Sequence, residues 1–249
     1  MSKSEEKDRS ILIGIIPCAG YGSRLSPFAK EVPKPLIQIG GKPLVEYPLA
    51  LMKRLEPAFV VLIISSHTRE VQEHLGDSYD GLAIEYVVQD PPRGLLDAVY
   101  QAKEYVTDKF VTLLSDEIYV GCRHRNLVEY WRDHPEIDGL VGYLGSQSWD
   151  AIKKNYSIVA RNGSIAEFEE KPKHPVNSLL GTGTWGLTRT FFDYAALVLT
   201  NNPPDKRSFV DALQLMVGDN YLIQGYDLGG SYVNVNSPAD IRRAELLVR

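Results

Sequence analysis

The stretch from Ile11 to Leu36 reads ILIGIIPCAGYGSRLSPFAKEVPKPL, and its first half decides the fold class. Ile11 to Ile16 is an unbroken apolar run, ended by Pro17. Such a run suits a strand buried on both faces, as in a parallel sheet covered by helices. The loop that follows carries Gly20 and Gly22, then Arg24, then Lys34 between Pro33 and Pro35. Glycines let the main chain approach a ligand closely. Successive N–H groups can then form an anion-binding nest. Arg24 adds a fork of donors and Lys34 a point charge, both suited to phosphate oxygens. Taken alone, the same residues also read as a tight turn with two solvated cations. The prolines restrict the backbone around Lys34, which is expected on a stiff, extended segment. The loop is not a Walker A motif, because no Gly-Lys-Ser/Thr follows. It is also a poor dinucleotide fingerprint: the third glycine is missing and Leu25 sits near its place. That counts against a dinucleotide-dependent oxidoreductase.

Outward from this loop, strand and helix patterns alternate as far as Asp116. Leu44–Arg54 has helical spacing of apolar residues, and Phe59–Ser65 is a second buried strand. Thr68–Leu75 reads as a helix, Ile84–Val88 as a strand, Gly94–Val106 as an amphipathic helix and Phe110–Leu114 as a strand. This alternation predicts a parallel sheet wound with helices. After Asp116 the pattern changes. Leu140–Leu144, Tyr156–Ala160, Ile165–Phe168 and Thr184–Thr188 are short strand candidates between turn-rich segments. Helices are expected at Arg189–Leu199 and Ser208–Val217. A late strand pair, Tyr221–Tyr226 with Ser231–Val235, leads to a C-terminal helix from Pro238. The reading is one domain over 11–249 behind a polar tail of residues 1–10. Residues 11–116 look like a nucleotide-binding α/β half, and 117–249 like an added mixed-sheet half that could cap a substrate.

In open α/β sheets, ligands bind outside the carboxyl ends of the strands. Three segments fall there: Ala19–Arg24, Gln89–Gly94 and Ser115–Asp116. Gln89 has an amide that can donate to and accept from a base edge. Gly94 opens a helix whose first N–H groups are free. Asp116 is placed to hold Mg²⁺, which prefers one or two carboxylates plus phosphate oxygens, although a turn or helix-cap aspartate looks the same. Glu117 beside it is a weaker candidate for the same role and reads equally as a solvated residue. Glu169-Glu170-Lys171-Pro172 reads by itself as a charged turn. The five histidines are scattered without ligand spacing, and Cys18 reads as a packing residue.

Composition narrows the classes. A chain of 249 residues fits a single α/β domain. The net charge of −5 argues against nucleic-acid binding. Two cysteines argue for a reducing cytoplasm rather than a disulfide scaffold. The first ten residues lack the apolar core of a signal peptide, and the longest apolar run, Phe59–Ile64, is too short to span a bilayer.

Taken together, these motifs resemble the sugar-1-phosphate nucleotidyltransferases, or nucleotide-sugar pyrophosphorylases. AGYGSRLSPFAKEVPKPL is similar to that family's long signature loop. GGKPLVEYPL, LLSDEIY, FEEKP and GTGTW are similar to its later motifs, in the same order. The resemblance implies a Rossmann-like three-layer α/β/α fold with a mostly parallel, mixed central sheet and a smaller mixed-sheet sugar-binding portion. It implies that NTP plus sugar 1-phosphate gives NDP-sugar plus pyrophosphate, with Mg²⁺ as cofactor. It places Ala19, Gly20, Gly22 and Arg24 on the triphosphate, Lys34 on phosphate charge, and Gln89 and Gly94 on the base. Asp116 and Asn234 would hold the metal. Tyr156, Glu170 and Gly183 would line the sugar site, with Lys171 on the sugar phosphate.

This chain departs from the family pattern at Ser115, usually glycine, at Ser157 in an expected Tyr-Gly pair, and at Asn234, usually aspartate. A silent nucleotide-sugar-binding regulator and a non-sugar phosphate or phosphonate acceptor therefore stay open. IIPCAG resembles uridylyltransferases and GLLDAV thymidylyltransferases, so UTP or dTTP is favoured over CTP, and purines come last. Neither nucleic acid nor membrane is an expected partner, and homo-oligomerisation is left open.

Overall fold

A computed structural model describes residues 11–22, 25, 32–145, 148–161 and 163–249. The apolar run after the tail becomes β1 (Leu12–Pro17), buried along nearly its whole length. A short hairpin, β2 (Gln38–Ile39) and β3 (Lys42–Pro43), precedes α1 (Glu46–Lys53). Alternation then continues through β4 (Val60–Ile64), α2 (Glu70–Leu75), β5 (Ser78–Tyr79), β6 (Leu82–Val88), α3 (Leu95–Tyr100) and β7 (Lys109–Thr112). β1 pairs in parallel with β4 on one side and β7 on the other, and β4 pairs in parallel with β6. The parallel core read from the alternation is therefore present.

The remaining strands are β8 (Glu117–Val120), β9 (Gly139–Leu144), β10 (Tyr156–Arg161), β11 (Ser164–Glu170), β12 (Leu180–Thr188), β13 (Ile223–Asp227) and β14 (Ser231–Asn234). The helices among them are α4 (His124–Asp133), α5 (Trp149–Ile152), α6 (Phe191–Asn201), α7 (Phe209–Gly218) and α8 (Pro238–Leu247). Most of these strands join the first sheet. Its ten strands run β10-β11-β13-β9-β12-β7-β1-β4-β6-β5, so the sheet is mixed. β12 is the junction: it lies antiparallel to both β7 and β9.

Helices cover both faces. On one, α3, α6 and α7 pack Val99, Phe191 and Leu213 over Ile15, Phe110 and Trp185. On the other, α1 and α4 pack Leu49, Met52 and Trp131 over Ile16, Leu62 and Val111. Alternate residues of β1 thus feed opposite layers, as the period of a strand requires.

Four local expectations are corrected. The late strands do not pair with each other: β13 pairs in parallel with β9, and β14 pairs antiparallel with β8. The helix expected over 94–106 stops at Tyr100, and a single 3₁₀ turn follows at Lys103–Tyr105. β12 starts at Leu180 rather than Thr184, because its glycines continue the strand instead of ending it. Lys34 opens a 3₁₀ turn, Lys34–Leu36, rather than lying on extended chain. Pro35 fits that turn, since its fixed φ suits the first helical positions. Among the described residues, no helix is long and apolar enough to cross a membrane.

Candidate active site

The carboxyl ends of β1, β6 and β7 open on one cleft of about 760 Å³. Its wall is completed by Tyr156, Glu170, Lys171 and Gly183 from the second half of the chain. The two groups of expected site residues therefore share one cavity.

The glycine loop forms one edge. Ala19 is buried and its carbonyl accepts a 3.0 Å bond from Ser65 Oγ. Gly22 has φ +61°, and a Cβ there would sit 2.9 Å from Lys34 Cβ. Glycine is thus needed both for the conformation and for the approach of Lys34. Arg24 lies outside the described residues.

Lys34 and Asp116 meet at the cleft floor. Lys34 Nζ lies 2.5 Å from Asp116 Oδ2, with side chains 12% and 23% exposed. Nζ also donates to Asn236 Oδ1 at 3.0 Å. The Asp116 carbonyl accepts from the Val235 N–H at 2.8 Å, which fixes the backbone independently of the carboxylate. Ser115, where glycine was expected, donates to the Pro17 carbonyl at 2.7 Å and ties β1 to β7. Asn234 reaches the same region through its pairing opposite Glu117. Its Oδ1 accepts from Asn236 Nδ2, and its Nδ2 lies 3.5 Å from Asn155 Oδ1.

Glu117 corrects the expectation of a solvated residue. It is 1% exposed. Its carboxylate accepts from the Tyr119 hydroxyl at 2.5 Å, the Tyr232 hydroxyl at 2.6 Å and the Gly183 N–H at 2.9 Å. Burial, then the charge of Asp116, pushes its pKa up to about 7 against these bonds. The chain continues behind it: Thr184 Oγ1 donates to the Tyr119 oxygen at 3.3 Å. That leaves His124 Nε2, 3.0 Å from Thr184 Oγ1, as the donor to it.

Burial alone lowers the His124 pKa from 6.5 to about 3. The folded protein keeps the ring neutral while the unfolded chain protonates near the ordinary value. Its contribution to stability is therefore full above about pH 6.5 and is lost as the pH falls towards 3. The expected slope from this group is up to ~1.4 kcal/mol per pH unit. Urea unfolding of His124→Gln at pH 7, 6 and 5 should show a shallower acid loss than the parent. Equal slopes would mean that this ring titrates normally.

The wall from the second half of the chain is less engaged. Lys171 has φ +46°, uncommon for a residue with a side chain, and strain of this kind collects at ligand clamps. Its Nζ pairs with Glu170 at 3.0 Å, and both side chains are well exposed to the cleft. Tyr156 lines the cleft, but its hydroxyl is engaged by the protein. It donates to the Thr182 carbonyl at 2.8 Å and accepts from Trp185 Nε1 at 2.9 Å. Ser157 is buried and does not line the cleft. Gly183 borders the cleft, yet its missing side chain faces inward: a Cβ would lie 2.2 Å from Leu114 Cγ.

Gln89 is 3% exposed at the end of β6, and Gly94, at φ +98°, caps α3 beside it. Both line the cleft. Asn155, Asn236 and the segment Asp205–Ser208 also line it and were not foreseen. Nothing in their local sequence marks them. One sign was readable for Ser208: with Asp211 it forms a capping box that places the start of α7 at the cleft.

The model of the nucleotidyl transferase family matches residues 13–235. The chain belongs to that family. Among curated nucleotidyl transferases, it is 25% identical over 234 residues to the UTP–glucose-1-phosphate uridylyltransferase AglF of Haloferax volcanii, covering 93% of this chain and 94% of that one. It is 29% identical to a low-salt glycan biosynthesis nucleotidyltransferase of the same organism, covering 94% of this chain and 65% of that protein. Its fold matches a putative glucose-1-phosphate thymidylyltransferase from Bacillus anthracis, solved with sucrose. That match has TM-score 0.84 and 24% identity and covers 96% of this chain and 95% of the other. A UDP-glucose pyrophosphorylase solved with UDP-glucose matches at TM-score 0.82 and 19% identity, with 95% and 97% covered. These solved nucleotidyl transferases show the same α/β architecture.

Proposed function

We propose that this nucleotidyltransferase moves a uridylyl or thymidylyl group from UTP or dTTP to a sugar 1-phosphate, releasing pyrophosphate and forming an NDP-sugar. One observation carries the reading: the glycine loop and the Lys34–Asp116 pair share a cleft with Glu170 and Lys171. Two phosphorylated substrates can therefore meet end to end. Residues 11–116 hold the nucleotide and 117–249 the acceptor, working as one unit. A sugar phosphate oxygen attacks the α-phosphorus in line, the new P–O bond forms, and pyrophosphate leaves. Such chemistry depends on positioning and charge neutralisation more than on covalent help.

Within that scheme, the loop N–H groups and Arg24 hold the triphosphate. Lys34 moves from Asp116 to a phosphate oxygen as the nucleotide arrives. Lys171 takes the acceptor phosphate and Glu170 the sugar hydroxyls. Tyr156 shapes the wall, its hydroxyl being engaged. The donor set at the floor is all oxygen, with one carboxylate at Asp116 and the Asn234 amide oxygen. This suits Mg²⁺, which keeps water and substrate phosphates as its other ligands. When bound there, the ion neutralises phosphate charge.

The test is pyrophosphate release with Mg²⁺ across a matrix of nucleoside triphosphates and sugar 1-phosphates. UTP or dTTP with glucose 1-phosphate should give the highest rate. If nucleotide-sugars bind but no pair turns over, the chain is a binding protein instead. Turnover only with a non-sugar phosphate would keep the reaction and change the acceptor.

A further inference from the structure

Gln89 lines the cleft, and the direction its amide faces is set by residues behind it. Its Nε2 lies 2.7 Å from Asp97 Oδ1 and 3.3 Å from the Gly94 carbonyl. Both partners can only accept. Rotating the amide by half a turn would set its oxygen against two other oxygens inside a buried site. The orientation is therefore fixed by the donor and acceptor inventory. Among the described residues, no bond to Gln89 Oε1 accompanies those two, so the oxygen is what the amide offers to the cleft. Asp97 does not line the cleft. Its side chain is 9% exposed and sits in the first turn of α3. It also accepts from Arg93 Nε and Gln101 Nε2, each at 3.4 Å, which keeps its oxygens pointed at donors.

We propose that Asp97 is a specificity-determining positioning residue: by holding the Gln89 nitrogen, it makes the base end of the cleft an acceptor. This rests on the reading of the cleft as a nucleotide site. An acceptor there takes a ring N–H and repels a ring lone pair. Uracil and thymine carry a hydrogen on N3, whereas cytosine has a lone pair at the same place. The geometry therefore selects uridine and thymidine triphosphates against cytidine triphosphate, without separating the first two. Sites built to hydrogen-bond a substrate group reject analogues that cannot make the bond by large factors.

The measurement is equilibrium binding of UTP, CTP and N3-methyl-UTP to the full chain with Mg²⁺, with inorganic tripolyphosphate as a base-free control. The parent should bind UTP at least ~50-fold more tightly than CTP or N3-methyl-UTP. Asp97→Asn can offer its own amide nitrogen to Gln89 and so release the orientation. It should shrink the UTP-to-CTP ratio at least tenfold while tripolyphosphate binding is unchanged. Asp97→Ser is read alongside, with the same outcome expected. Equal loss of UTP and CTP in both variants would reduce Asp97 to a structural residue and overturn the proposal. So would N3-methyl-UTP binding to the parent as tightly as UTP, a result that needs no variant to fold. If the parent binds tripolyphosphate and all bases equally, this proposal fails and the transferase reading stands. If it binds no triphosphate at all, both fail.

Discussion

Asp116→Ala should lose at least ~10³-fold in turnover while its unfolding midpoint moves by only a few degrees. The separation follows from how the residue is held. Its backbone is fixed by the Val235 N–H, and its carboxylate faces the cleft with Lys34 as its ion-pair partner. Truncation removes a part-buried ion pair, a loss larger than the ~1 kcal/mol of an exposed pair but below the ~3–5 kcal/mol of a fully buried one. Lys34 keeps Asn236 as a partner. What is lost is the floor's carboxylate, the group suited to gather charge at the reacting phosphates. Pyrophosphate release measures the first effect and thermal unfolding the second. A variant that turns over normally would remove Asp116 from the chemistry. One that fails to fold would make it a structural turn residue.

Gly181→Ala should be among the most destabilising single substitutions available here. A Cβ at Gly181 would lie 2.0 Å from Tyr156 Cε2 and 2.2 Å from its Cζ. The ring has little room to retreat. Its hydroxyl is bonded on both sides, and the ring stacks on Trp185 at 6.2 Å. Gly181 is itself held in the ladder opposite Tyr143 and Tyr156. Overpacking at such a point costs about 3 kcal/mol or more. For a chain of this length that lowers the midpoint by roughly 6–12 °C. Calorimetry checks it, and a midpoint within 2 °C of the parent would contradict the packing described. Acceptor affinity should fall in parallel, because Tyr156 forms the cleft wall.

The sequence exposed what depends on local pattern. Buried runs ending at Pro17, Ser65 and Ser115-Asp116 marked β1, β4 and β7, and the first and last of these lead into the cleft. Lys34 and Asp116, 82 residues apart, were both singled out, and they touch. Glu117 was misjudged because a carboxylate beside a strand end is usually solvated. Here its partners come from Gly183 and Tyr232, 66 and 115 residues away. α4 escaped notice because Leu127, Val128 and Trp131 are its few apolar residues among charges. β12 was cut short because Gly181 and Gly183 look like turn residues. Side chains crowding both positions show instead why the strand needs them. Nothing in the local sequence singles out Asp97, in the first turn of α3, and only the placement of Gln89 gives it a role.

The seating of β12 between β7 and β9 also bears on how such a protein diversifies. Trp185–Thr188 forms a hydrogen-bonded ladder with Lys109–Thr112, so the second half of the chain is woven into the sheet of the first. A chimera joined at residue 116 would have to rebuild that ladder and the aromatic packing over it. Under the proposed function, new acceptors are reached more readily by exchanging cleft-lining side chains such as Asn155, Glu170 and Asp205–Ser208 than by grafting in a foreign half.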